Sequence, residues 1–291
     1  MKFGLHVSIE GGIDKAPARA FDFGAECFQV FSRSPHGGKA KEIDAEIVKK
    51  FRAEHRKYKL GNFYIHTPYY INLASGNNRI YYGSISAIKS ELEMADLLGA
   101  SGVVTHLGSA KDLGEKEAKK KLIEGLCKIF EAPSLKSGKV GYRNFKAKLL
   151  LEITAGSGEI MGDTFEEIAF FIKEAEKKIG KDVLGVCFDT AHAFASGYDL
   201  SSIEAAHKTF EKFDKIVGID RIKLVHINDS AAALDSHVDR HANIGNGKIG
   251  VEGITATLKE LEKYNLDFIL ETPPSGVGED LDILKTVIIN L

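Results

Sequence analysis

The sequence predicts an α/β protein built as a single (β/α)8 TIM barrel, one domain over 1–291, with its site at the C-terminal ends of the strands. Three observations predict it. Eight short apolar runs recur along the chain, continuous rather than alternating, as in strands buried on both faces. Helical spacings of apolar residues separate those runs, which is the grammar of parallel βα units. The length of 291 residues suits one barrel, and no linker divides it. A doubly wound open sheet is the rival, but no GxGxxG follows the first strand to support it.

The strands are expected at "FGLHV" (3–7), "ECFQVF" (26–31), "NFYIH" (62–66), "GVVTH" (102–106), "KLLLE" (148–152), "LGVCFD" (184–189), "IKLVHI" (222–227) and "DFILE" (267–271). Between them, Ile43, Ile47 and Phe51 share one helical face, as do Ile85, Ile88 and Leu92, and Phe165, Ile168 and Ile172. Ile254, Leu258 and Leu261, then Leu284, Val287 and Ile288, repeat the spacing later. Gly24 and Gly99 stand where helices would end, just before the second and fourth strands. The stretch 131–148, "EAPSLKSGKVGYRNFKAK", has five basic residues and no apolar period. It reads as a solvated surface insertion in preference to a nucleic-acid-contacting arm.

Composition narrows the function classes. The chain is 44% hydrophobic and 27% charged, ordinary for a globular protein with a sizeable core. Its net charge of −2 gives no global basic field, so any nucleic-acid surface has to be a local patch. Cys27, Cys127 and Cys187 are scattered without CxxC spacing, which suggests neither a disulfide framework nor a thiolate zinc site. A reducing cytoplasm is the expected location. No signal pattern opens the chain and no apolar run approaches membrane-spanning length, so no membrane association is expected.

Chemistry gathers where the strands end. The third closes on His66, the fourth on His106, the fifth on Glu152, the sixth on Asp189, the seventh on His226 and the eighth on Glu271. A single such residue is more often a satisfied structural group than a ligand. Six consecutive strands ending this way are another matter, because ionisable groups are rarely buried without partners. "FDTAH" adds His192 three residues beyond Asp189, and "DRH" places Asp239 two before His241 in the loop after the seventh strand. Imidazole with carboxylate and no thiolate suits zinc, manganese or iron. Nine ligands are too many for one ion, whereas two or three ions sharing a bridging carboxylate would absorb them. Such multi-metal sites are the machinery of phosphoester hydrolysis.

The blocks "HTPYYINLAS" (66–75), "HLGSA" (106–110), "LLEITAGSG" (150–158), "GVCFDTAHAFASGYD" (185–199), "HINDS" (226–230), "VDRHANIGNGKIG" (238–250) and "ILETP" (269–273) resemble, in order, the signature blocks of endonuclease IV. The most specific are "VDRHANIG" and "DTAHAFASGYD". The resemblance implies a metal-dependent apurinic/apyrimidinic endonuclease with three zinc ions, manganese being an alternative at one position. It would give one ion to His66, His106 and Glu152. A second would go to Glu152 as bridge with Asp189, His226 and Glu271, and a third to His192, Asp239 and His241. Glu152, Asp189 and Glu271 are then the carboxylates expected to carry catalysis. The implied substrate is duplex DNA with its abasic nucleotide flipped out, cut on the 5′ side to leave a 3′-hydroxyl and a 5′-deoxyribose phosphate. No obligate protein partner is implied.

The chain departs from the family at Leu107, Ile153 and Ala191, none of them ligands. More consequential is "SRSPHGGK" (32–39), with His36 and Gly38 where family members carry an arginine and a tryptophan for entering DNA. Tyr69 and Tyr70 match the other inserting positions. Arg33, Lys39, Arg79, Arg240 and Lys248, all in loops that follow strands, are the basic residues expected to meet phosphates. Other features have plainer readings. His6 is expected in a structural hydrogen bond, His55 and His207 on helix surfaces, and His237 near the site without a ligand role. The glycines of "NIGNGKIG" are read as loop geometry rather than a phosphate cradle. A divalent-metal sugar isomerase or epimerase on the same barrel is the alternative; it would leave His192, Asp239 and His241 without a task.

Overall fold

A run such as Leu184–Asp189, buried at every position, needs a neighbour on each edge and cover on both faces. A closed parallel barrel meets both needs at once. The computed structural model describes residues 1–37, 43–132 and 141–289. Its barrel strands are β1 (Lys2–His6), β2 (Cys27–Phe31), β3 (Phe63–His66), β4 (Gly102–Thr105), β5 (Lys148–Glu152), β6 (Leu184–Asp189), β7 (Ile222–His226) and β10 (Asp267–Leu270). They close in the order β1-β10-β7-β6-β5-β4-β3-β2, each parallel to its neighbours, as the eight apolar runs predict. Register sets the height of the site: Phe31 pairs with His66, Glu152 with Cys187, Asp189 with His226 and His226 with Ile269.

Two layers of side chains hold the barrel. Inside it, Cys27, Tyr64, Val104, Leu150, Cys187, Leu224 and Ile269 form a plug. Outside, strand residues pack against α1 (Ala16–Asp22), α2 (Ala45–Lys57), α3 (Asn78–Leu98), α4 (Glu115–Phe130), α5 (Phe165–Ile179), α7 (Ile203–Ile216), α8 (Gly250–Leu261) and α9 (Val277–Ile289). Side-chain caps start several of these helices: Asp44 for α2, Asn77 for α3, Thr164 for α5 and Ser202 for α7 each accept a first-turn N–H. Gly99 ends α3 at φ 92, a left-handed C-cap that a side chain would strain. At Gly4 the reason is proximity: a Cβ there would lie 1.8 Å from the Cys27 carbonyl oxygen.

Three expectations change. The 131–148 stretch is not wholly solvated, since Glu131 bridges to Tyr142 and Phe145 and Ala147 are buried. Phe145 packs edge-on against Phe130, and Asp96 accepts from the Ala147 N–H at 2.9 Å, so an isolated aromatic provides the anchor that periodicity does not reveal. Residues 133–140, Gly38 and Lys39 lie outside the described residues. His55 is half-buried rather than on the surface, its Nε2 at 2.8 Å from the Gly61 carbonyl and its ring beside Phe28, Phe51 and Phe63. The polar loop after β7 carries a short antiparallel ladder, β8 (Asp229–Ser230) against β9 (His241–Ala242).

Candidate metal centre

The strand ends deliver six polar side chains to one rim, and two local devices add the rest. The first is a strand that runs directly into a helix. Asp189 ends β6 and also caps α6 (Thr190–Ala195), accepting from the His192 N–H at 2.8 Å, so the cap fixes where the imidazole three residues on must point. The second is the β8–β9 ladder, which folds the loop back so that Asp239 and His241 return to the rim. A cavity of about 740 Å³ opens over this rim, lined by His66, His106, His192, Asp239, His241 and Glu271 among others.

Glu152, fully buried, is the hub. Its Oε2 lies 3.0 Å from His66 Nε2 and 3.5 Å from His106 Nε2. Its Oε1 lies 3.0 Å from His226 Nδ1 and 3.5 Å from His192 Nδ1. His226 Nδ1 also faces Glu271 Oε2 at 3.2 Å and Asp189 Oδ2 at 3.7 Å. Among the described residues three groups have donor atoms within 4.8 Å of one another: His66, His106 and Glu152; Glu152, Asp189, His226 and Glu271; and Asp189, His192 and His241. The third group differs from expectation in taking Asp189. Asp239 stands beside it, 3.2 Å from His192 Nε2 and 3.6 Å from His241 Nε2, but over half exposed on its loop.

The outer hydrogen bonds decide which ring nitrogens are free. A carbonyl oxygen can only accept, so the nitrogen against it carries the proton. His66 Nδ1 donates to the Thr67 carbonyl at 2.7 Å, His192 Nδ1 to that of Ile153 at 2.9 Å and His241 Nδ1 to that of Glu271 at 3.2 Å. His226 Nε2 donates to the Gln29 amide oxygen at 2.9 Å. The other nitrogen of each ring then turns a lone pair toward the carboxylates. His241 Nε2 is buried without any hydrogen-bond partner, with Asp189 Oδ2 and Asp239 Oδ1 each 3.6 Å away. Lone pairs facing anions repel unless a proton or a cation lies between them.

Electrostatics agree. Burial opposes the charged form of His192, yet Asp189, Asp239 and Glu152 outweigh it and push the imidazole up to about 10. His226 is held well above its ordinary range against the same burial, by Cys187, Glu271 and Glu152. Burial would raise the Glu152 and Glu271 carboxyls, but the imidazoles around them hold both well down. His106 is lowered by burial, only partly offset by Glu152. The donor set therefore fits divalent cations with nitrogen and oxygen ligands: it supplies negative charge, aimed lone pairs and a buried nitrogen lacking a partner.

Several residues that build the site are given no role by the sequence reading, although Asn228 and Asp229 lie within the "HINDS" block. Gln29, inside a buried run, donates to Glu271 Oε1 at 2.6 Å while accepting from His226. Asn228 donates to Asp189 Oδ2 at 2.8 Å and accepts from the Glu271 N–H at 2.8 Å. Asp229, buried, accepts from the backbone N–H groups of Gly245, Gly247, Ile249 and Gly250 at 2.9 to 3.2 Å. The "NIGNGKIG" loop is thus wrapped around a carboxylate, and a Cβ at Gly247 would lie 2.3 Å from it. His6 behaves as expected, its Nδ1 3.1 Å from Gln29 Nε2 and 3.4 Å from Glu271 Oε1. His237 ties the loop down instead of binding, its Nδ1 donating to the Ala155 carbonyl at 3.1 Å. His207 is exposed, near Glu260.

The residues expected at DNA divide into two sets. Tyr69, 59% exposed, and Arg240 line the cavity itself, and Tyr70 is 42% exposed next to Tyr69. Arg79, Arg240 and Lys248 are exposed and make no ion pair or side-chain hydrogen bond among the described residues. His36 is exposed with its ring 5.8 Å from that of Tyr69. Arg33 is different. It is mostly buried in an ion pair with Glu91.

Comparison with known proteins follows the same lines. The sequence model of the family described as "Xylose isomerase-like TIM barrel" matches residues 17–287. A protein of Cenarchaeum symbiosum (strain A) named "Probable endonuclease 4" is 37% identical over 288 residues, covering 98% of each chain. One of the same name from Carboxydothermus hydrogenoformans is 38% identical over 285 residues, 98% of this chain and 95% of that one. The crystal structure of endonuclease IV from Thermus thermophilus superposes with a TM-score of 0.85 at 32% identity, over 100% of both chains.

Proposed function

The chain belongs to the endonuclease IV family of xylose isomerase-like TIM barrels, and from that premise we propose that it hydrolyses the phosphodiester 5′ to abasic sites in duplex DNA. The products would be a 3′-hydroxyl and a 5′-deoxyribose phosphate. The whole of 1–291 acts as one domain in this reading. One observation carries it: Glu152 stands between two ligand groups and faces four imidazoles, while a further group completes a third position. We read these as three zinc sites, with manganese an alternative at one. His66 and His106 with Glu152 would hold the first ion, and Glu152 with Asp189, His226 and Glu271 the second. His192 and His241 would hold the third, with Asp239 as the carboxylate the family assigns and Asp189 beside it. When bound, such ions supply water activation and charge compensation at phosphorus.

The chain's own residues supply the rest. Gln29 and Asn228 fix the orientation of His226, Asp189 and Glu271, so the donors need not reorganise when substrate arrives. The cavity of about 740 Å³ is of the size that takes a small ligand, which suits one extruded nucleotide rather than a base pair. Tyr69 lines the cavity and Tyr70 is exposed next to it in the chain, so that the pair could fill the gap an extruded nucleotide leaves. A duplex with a single abasic site, labelled on the damaged strand, tests the activity. Incision on the 5′ side with a 3′ end that a polymerase extends is the expected result. Absence of incision together with epimerisation of a ketose would give the barrel to sugar chemistry instead. The fold alone does not choose between them. The three free, buried cysteines support a reducing, cytoplasmic setting.

Affinity and preference should separate by mutation. Tyr69→Ala removes a stacking surface worth roughly 1–3 kcal/mol per base. It should weaken binding to abasic duplex more than to intact duplex and leave the salt dependence unchanged. Arg79→Ala removes one exposed cation and should weaken both about equally, flattening the slope of log affinity against log salt by about one. Anisotropy titrations across a salt series read both effects. If Tyr69→Ala kept the full preference for the lesion, insertion by this residue would be refuted.

A further inference from the structure

Glu91 is a carboxylate that the proposed chemistry does not use. It sits in the middle of α3, with no exposed surface, far in sequence from any ligand. Both of its oxygens are engaged by the two residues that follow β2: Ser32 donates to Oε2, and the Arg33 guanidinium pairs with Oε1. Arg33 also donates to Ser90 Oγ at 3.0 Å, and its side chain is only 14% exposed. A buried carboxylate stripped of its cation is strongly unfavourable, so this pairing is not one that Arg33 leaves at little cost. A phosphate on the surface would have to compete with it.

The tethered segment leads directly to Tyr69. The Pro35 carbonyl accepts from the Tyr69 N–H at 3.1 Å. The Phe31 ring meets the Tyr69 ring edge-on at 5.2 Å and the His66 ring at 5.4 Å, and the His36 ring lies 5.8 Å from Tyr69. Gly37 lies against the Tyr70 ring, a Cβ there coming within 3.8 Å. Residues 31–37 are thus a shelf on which both tyrosines rest, and the far end of that shelf is riveted to α3.

We propose that Glu91 is a positioning residue: by holding Ser32 and Arg33 it fixes the 31–37 shelf under Tyr69, and through it sets the preference for an abasic site over intact duplex. Arg33 then acts as the rivet and not as a phosphate contact. The inference rests on the DNA reading above, and the experiment separates the two. Wild-type protein, Glu91→Gln, Arg33→Met and the double variant are titrated against a labelled duplex with one abasic site, its scissile phosphate replaced by an uncleavable methylphosphonate. The same is done with the intact duplex, each across a salt series, and kcat and KM are measured on the cleavable substrate. Either single change should lower the preference for the lesion about tenfold, raise KM more than it lowers kcat and leave the salt slope and metal content unchanged. The double variant should be no worse than either single one, because both remove the same tether.

A phosphate-contacting Arg33 gives a different pattern. Arg33→Met would then flatten the salt slope by about one, while Glu91→Gln, freeing the guanidinium, would leave the preference intact or tighten binding to both duplexes. That pattern overturns the proposal. If thermal unfolding shows that Glu91→Gln does not fold, Ser32→Ala and Ser90→Ala each remove one tether while keeping the charge pair. A folded Ser32→Ala or Ser90→Ala with undiminished preference also overturns it. Wild-type protein without any preference for the abasic duplex would instead sink the DNA reading on which it rests.

Discussion

Glu152→Gln should abolish most of the hydrolysis of abasic duplex, by about 10²- to 10³-fold in kcat, while affinity for the DNA changes far less. The substitution keeps the shape of the side chain and one carbonyl oxygen. It removes the negative charge that four imidazoles surround, at 3.0 to 3.5 Å. It also turns an NH2 group, which cannot bind a cation as a carboxylate oxygen does, toward either His66 and His106 or His226 and His192. In the proposed site two cation positions would share this one side chain, so the loss would not be confined to one of them. Stopped-flow or quenched-flow kcat together with metal content on the same preparation checks the claim. Unimpaired cleavage by a folded Glu152→Gln protein would refute the bridging role.

Asp229→Asn should be the most destabilising single change in the loops around the site. Its carboxylate accepts from four backbone N–H groups of residues 245–250 and is fully buried. An amide presents an NH2 to two of those donors, leaving them unpaired inside the protein. Charged hydrogen bonds contribute about 1.5–3 kcal/mol each, so a loss of roughly 3 kcal/mol or more is expected. Urea unfolding should show a lower midpoint with little change in slope. The same loop is closed by the ladder that brings back His241, so the third ligand group should lose metal before the first two. A loss below about 1 kcal/mol would mean that the glycines hold the loop without the carboxylate.

What was legible in the sequence was whatever repeats or clusters. Eight continuous apolar runs announce strands because burial on both faces leaves no room for alternation, and β6 is buried along its whole length. His66, Glu152, Asp189 and His226 are legible for the same reason: each is an ionisable residue closing such a run. Single polar residues were not. Gln29 sits inside a run that reads as apolar, and its partners His226 and Glu271 lie 197 and 242 positions away, a pairing that only barrel closure creates. Glu91 lies on a helical face among Ile85, Ile88 and Leu92 and looks from its spacing like a helix charge. Its ties to Ser32 and Arg33 depend on how β2 meets α3, which also moved Arg33 from the rim into an ion pair. Asp189 was expected in one group and faces two, because it is both a strand end and a helix cap.

If three cation positions share the carboxylates at the top of the barrel, as proposed, the metal content of the protein will show it. Protein purified without added metal, and then reloaded and desalted, should carry close to three transition-metal ions per chain by elemental analysis, mostly zinc. Chelation should remove them together with the ability to cut abasic duplex, and zinc should restore both. A reproducible single ion per chain, in a preparation that turns over a sugar and leaves abasic duplex intact, would contradict it.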